Sequence, residues 1–303
     1  MSSSIIRVLR IAIFFCFLGF TVSAQGKTAL EIEFDRTFSV LKPVWDDDIV
    51  AAALGVYPDI DVELMRSMDF VKSQNPCQLR ITIDPQAQSF IVPVSLNYFT
   101  FSLMNVQPSY LFLMGVSEFS DVDAVFATTR NDVGEQVRQF YKQACIRRDR
   151  SGFQIINPSS NFVSNSRYAE ILGDLNQDTS AREKADEIAG LAILFVLLHE
   201  YGHVHLDHDT DTYSDQLEND ADNFAATIFQ EAGLPAYFGV YGLMLYEGLV
   251  LNRNRDFLNC RMASLAERQV TAPSASFFVQ NNGSQQRLEM LRGSIIRQIS
   301  ASC

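Results

Sequence analysis

An α+β fold, predominantly helical with a small N-terminal sheet, is what this sequence predicts, and three observations carry that reading. Two short stretches, "QLRITI" (78–83) and "SFIVPVSLNYFTF" (89–101), alternate as strands do. Beyond "INPSSNFVSNS" (156–166), apolar residues recur almost entirely at helical spacing. Finally, "IAGLAILFVLL" (188–198) is apolar on every side, the mark of a helix at the centre of a domain; it is too short to cross a bilayer.

The elements follow in order. Residues 1–24 combine Arg7 and Arg10, an apolar run over 11–20 and the small residues Val22 and Ala24, which together describe a secretory signal peptide cut after Ala24. A membrane anchor is the alternative, but it needs about 20 apolar residues and this run is well short of that. Residues 25–160 form a mixed α/β region, either separate from the domain that follows or part of it. It holds a helix near 49–71, the two strands, and a helix over 133–145. Pro93 demotes part of the second strand to an edge or a bulge, where it could align an extended peptide by strand addition. From 161 to 303 the chain is a helical core. The apolar helix at 188–198 runs directly into His199 and Glu200. A second helix over 214–231 stops at "GLP" (233–235), and others cover 237–250, 261–269 and 285–299.

At 303 residues and 47% apolar content the chain can bury one large core or two modest ones. Loss of Arg7 and Arg10 with the leader takes the net charge from −12 to −14, a surface that repels nucleic acid and anionic membranes. No Gly-rich phosphate loop offsets this, and no stable membrane anchor survives leader cleavage. Cys16 also leaves, so Cys77, Cys145, Cys260 and Cys303 remain; an even count in an exported chain fits two disulfides, with the pairing open. Oligomeric state is not legible.

All four histidines fall within "LLHEYGHVHLDHDTDTYSDQLENDADNFAA" (197–226), among many carboxylates. His199 and His203 stand four apart, so on a helix they are about 40° apart in projection and one turn apart in height. Both imidazoles can then reach one ion. Glu200 lies about 100° around from His199, beside the ion, where a general base for an activated water belongs. Placing these groups at the end of an apolar helix is costly unless a divalent ion compensates their burial. If the helix continues, His205 falls about 200° from His203 and His208 about 180° from His199, so both point away.

A third ligand must come from elsewhere, and Glu218 on the next helix supplies it best. Asp222, four residues on, would hold the outer nitrogen of a ligand histidine and fix its tautomer, while Ala221 and Ala225 let the two helices approach closely. Three other readings compete. Asp215 could cap the second helix with Glu218 as its capping-box partner. Acids over 207–218 partly match a calcium loop, although Thr212 replaces its glycine. Asp209 sits at the third-ligand position of a metzincin pattern, with Leu206 where that pattern has glycine.

H-E-x-x-H followed by E-x-x-x-D and "A-D-x-F-A" resembles the gluzincin metallopeptidases, above all the CAAX-protease and heat-shock-protease family, and more loosely the ImmA/IrrE family. The resemblance spans roughly 186–230. It implies a zincin-like domain in which the two helices pack together, Zn2+ held by His199, His203 and Glu218, Glu200 as base, Asp222 behind a ligand, and a protein or peptide substrate. Only 14 residues separate His203 from Glu218, fewer than that family usually has. No histidine lies outside 199–208, so oxyanion stabilisation would fall to a tyrosine, an arginine or the backbone; Tyr237, Tyr241, Tyr246 and Arg287 are candidates. The expected function is therefore an exported zinc peptidase. The alternatives are a non-catalytic exported module with a structural zinc or calcium, and a metal carrier using His205 and His208.

Overall fold

Pro58 divides the N-terminal helical region. The computed structural model describes residues 29–73, 75, 78, 80–93, 123, 130, 179–209, 214–247, 255–268 and 282–299; at 29, 30, 33, 179–188, 245–247, 255, 282–288 and 291 it describes the backbone alone. Helix α1 (Ala29–Val44) lies upstream of the expected stretch, and a π-helical turn (Trp45–Ile49) joins it to α2 (Val50–Val56). Tyr57, at φ −123° and ψ 85°, then leaves the helix, because the ring of a following proline disfavours helical backbone at the residue before it. Helix α3 (Val62–Ser67) restarts on Asp61, whose side chain accepts from the Leu64 amide at 2.8 Å. The helix expected to run to 71 thus ends early, and Asp69–Ser73 forms strand β1.

Strands β2 (Thr82–Asp84) and β3 (Ser89–Pro93) complete a sheet of order β1-β3-β2, with β1 parallel and β2 antiparallel to β3. The strand holding Pro93 is therefore the central one of the sheet, not an edge: it is paired on both sides over 89–91 and to β1 through Pro93. Pro93 is tolerated because it closes the strand, opposite Ser73 at the end of the ladder. Residues 94–101 of that stretch, the helix over 133–145, the boundary at 156–166, the leader, Cys77, Cys145 and Cys303 lie outside the described residues.

Helix α4 (Thr179–His205) carries the apolar run, and Leu191 to Leu198 are each 6% exposed or less. Helix α5 (Asp215–Glu231) packs along it, Phe224 lying against Gly202, and its Ala221 and Ala225 are fully buried. After a 3-10 turn (Ala236–Phe238), α6 (Gly239–Glu247) also crosses α4 closely. A β-carbon on Gly242 would stand 2.5 Å from Val196 Cγ2, so only glycine fits there. Helices α7 (Arg255–Glu267) and α8 (Asn282–Ile299) close the far side. Among the described residues no helix is long and apolar enough to cross a membrane.

One hydrophobic cluster joins the N-terminal elements to α4 through α8. Trp45 is its hinge with α4: its indole N–H donates to the Met65 carbonyl at 2.8 Å and its ring meets Phe90 and Tyr201 edge-on. Tyr201 belongs to H-E-x-x-H itself, and its hydroxyl donates to the Asp61 carbonyl at 3.1 Å. Burying each such aromatic contributes about 1.5–3 kcal/mol. The apolar side of the histidine-bearing turn is thereby fixed against the sheet region, and its polar side is left to face α5.

Candidate metal centre

The helix that presents His199 and His203 ends in a turn that the sequence does not announce. Asp207 takes the left-handed conformation, φ 53°, where glycine is usual and Asp is tolerated. Its amide donates to the Val204 carbonyl at 3.2 Å and that of His208 to the His203 carbonyl at 2.9 Å, a Schellman closure. Helical projection therefore fails beyond His205. His205 packs against the rings of Tyr57 and Phe224, whereas His208 returns to place its Nδ1 2.9 Å from His203 Nδ1. The expectation that both histidines point away is corrected for His208.

On α5, Ser214 is the N-cap, accepting from the Leu217 amide at 3.2 Å. Asp215 is thus not the cap, and Glu218 does not reach back to a capping box; it turns toward the histidines. Its Oε2 is 3.4 Å from His199 Nε2 and its Oε1 3.8 Å from His203 Nε2, and the two Nε2 atoms are 3.2 Å apart. Among the described residues, His199, His203 and Glu218 form the group whose ligating atoms could hold a metal ion, all within 4.8 Å of one another. Asp209 is not part of that group. Because both Glu218 oxygens face the histidines, Glu218 is also withdrawn from the calcium-loop reading.

The donor chemistry fits a small divalent cation. His199 Nδ1 lies 2.9 Å from Asp222 Oδ1, a carboxylate that can only accept, so Nδ1 carries a proton and Nε2 is the nitrogen left for a metal. His199 Nε2, His203 Nε2 and the Glu218 carboxylate then converge on one point. The edges of a tetrahedron around zinc with bonds of about 2.0–2.1 Å are about 3.3–3.4 Å, close to the observed separations. Two imidazoles suit zinc and its neighbours in the transition series rather than calcium, which takes oxygen ligands.

Electrostatics point the same way. Burial by itself lowers the pKa of His199, but its hydrogen bonds to Asp222 and Glu218 outweigh that and raise it to about 9. The pocket draws positive charge to this ring. His203 is pushed down to about 4 by burial and by the neighbouring His199. Glu218 is held below the usual carboxylate range by His199, Arg261 and His203, against the effect of burial. Glu200, partly buried, is raised to about 7, chiefly by desolvation and further by the Glu218 charge, while His199, Arg80 and Arg261 oppose the rise.

Arg261 on α7 is the residue that sequence reasoning missed. It is 7% exposed and clamps both α5 carboxylates: Nε donates to Asp222 Oδ2 at 2.7 Å, Nη2 to Asp222 Oδ1 at 2.9 Å, and Nη1 pairs with Glu218 Oε2 at 2.8 Å. Burial alone would raise Asp222, yet the guanidinium and His199 hold it at about 2. A signal did exist. Leu258 and Leu265, three before and four after Arg261, make it the lone cation on a buried helical face, which demands a buried acid. The expected helix began at 261, so that face was invisible. As for the oxyanion candidates, Tyr237 and Tyr241 lie in the core, where burial pushes both hydroxyls well up. The side chains of Tyr246 and Arg287 lie outside the described residues.

Comparison with known proteins agrees with this picture at a coarse level. Residues 127–236, about a third of the chain, match the Peptidase U49 family, which supports a peptidase. The matched span contains His199, Glu200, His203, His208, Glu218 and Asp222, but not Arg261. No curated protein and no solved structure matches the chain.

Proposed function

We propose that this chain is an exported, zinc-dependent metallopeptidase of the gluzincin type, with a protein or peptide substrate. The observation that carries the reading is the convergence of His199 Nε2, His203 Nε2 and the Glu218 carboxylate on one point. The peptidase match adds the reaction class. The leader-like residues 1–24 support export to a periplasmic or extracellular space.

His199, His203 and Glu218 would hold the ion. Zinc bound there supplies Lewis acidity, polarising a carbonyl and lowering the pKa of a coordinated water to about 7. Glu200 is next in sequence to His199 and is raised to about 7, so near neutral pH its carboxylate can take a proton and return it to a leaving amine. Asp222 keeps His199 protonated at Nδ1, which leaves Nε2 free to bind. Arg261 keeps both acids ionised and aimed.

Glu200→Gln tests the scheme. It is expected to retain stoichiometric zinc while hydrolysis of a generic protein substrate falls by about 10²–10⁴. Cleavage at the parent rate with zinc bound would remove Glu200 as the base.

A further inference from the structure

His203 needs a partner on its outer nitrogen, and the turn after α4 supplies one. A histidine that binds a metal through Nε2 must carry its proton on Nδ1, and a hydrogen-bond acceptor behind Nδ1 fixes that tautomer. His199 has the Asp222 carboxylate in this place. Among the described residues no carboxylate contacts His203 Nδ1; its neighbour is His208 Nδ1, at 2.9 Å.

We propose that His208 is a positioning residue whose Nδ1 accepts a hydrogen bond from His203 Nδ1–H and so turns the bare Nε2 of His203 toward His199 and Glu218. This rests on the zinc reading above. Two nitrogens 2.9 Å apart must share one proton, since two bare lone pairs repel and two N–H groups collide. Were the proton on His208 Nδ1, that of His203 would move to Nε2, aimed at His199 Nε2 3.2 Å away, and the site would be closed to a cation. A metal selects the other arrangement, in which His208 carries its own proton on Nε2.

The backbone builds this contact. Left-handed Asp207 and the His208 amide bonded to the His203 carbonyl reverse the chain by one turn, so that ring follows ring. His205, on the last turn of α4 itself, goes to Tyr57 and Phe224 instead and has no such access. The phrase H-x-H-x-x-H (203–208) thus holds one ligand, one packing residue and one brace.

The test is zinc affinity of the full chain by competition with a chromophoric chelator, beside thermal melts of the metal-free forms. His208→Ala is expected to weaken zinc roughly 10–100-fold without shifting the metal-free melt. His208→Asn, whose Oδ1 can stand where Nδ1 stood, is expected to recover most of that loss. Unchanged affinity in His208→Ala, or equal weakness in the Asn variant, overturns the proposal while leaving the zinc site standing. A parent that binds no zinc overturns both. Independently of any variant, long-range 1H–15N spectra of the zinc-loaded parent are expected to show His203 protonated at Nδ1. A His203 ring protonated at Nε2 would refute the assignment.

Discussion

His199 and His203 come from one helix, four residues apart, and their surroundings differ in kind. Behind His199 stands a buried carboxylate that is itself gripped by a buried arginine from α7. Behind His203 stands the imidazole of His208, on the turn that follows the helix. The first cradle is charged and dry, and it raises its histidine to about 9; the second leaves its histidine depressed to about 4. The difference teaches that a single motif can mix a rigid anchor with a softer contact. Through its outer nitrogen the anchored ring is tied to α5 and, by way of Asp222, to α7, whereas the outer nitrogen of the softer one meets only the turn that follows its own helix.

The largest expected effect comes from breaking the anchored side at its far end. Arg261→Met leaves Asp222 and Glu218 buried without their cation, and should destabilise the fold by about 3–5 kcal/mol in chemical denaturation. An unchanged denaturation midpoint would mean that the guanidinium is not holding the acids. Next, Asp222→Asn removes the charge behind His199 and should cost metal affinity toward the upper end of the roughly 10–100-fold range, with His208→Ala toward the lower end. Equal losses at the two positions would erase the asymmetry.

Acid should act on the anchored side as well. Because the folded-state pKa of Asp222 is depressed to about 2 from an ordinary 3.8, its stabilisation is present above about 3.8 and is lost as pH falls through about 2. Thermal melts across that window should show the loss in the parent and a smaller one in Asp222→Asn; parallel curves would contradict it. The smallest effect is expected at Gly202, between the two rings. A β-carbon there would meet Phe224 Cδ1 at 2.9 Å and displace α5 from α4. Overpacking costs about 1–3 kcal/mol and alanine returns about 1 in helix propensity, so Gly202→Ala should lower stability by less than about 2 kcal/mol in a melt.

Much of this arrangement was legible because helical periodicity is a local property. The apolar run, the four-residue spacings of His199 with His203 and of Glu218 with Asp222, and the small faces of Ala221 and Ala225 place the two helices side by side on sequence alone. What escaped was decided by contacts distant in the chain or by backbone reversal. Arg261 meets Asp222 from 39 residues away. His208 reaches His203 through a left-handed residue that no helical wheel contains. Residues 69–73 became a strand because β3 pairs with them, and β3 an inner strand because β1 and β2 both pair with it over 89–91.

Metal content of the purified protein tests the central claim most directly. After equilibration with zinc and removal of excess, elemental analysis should find about one zinc per chain in the parent and little in Glu218→Ala, whose α5 carboxylate is gone. A parent free of metal, or a Glu218→Ala variant that retains as much zinc as the parent, would contradict a centre built from two imidazoles of α4 and one carboxylate of α5.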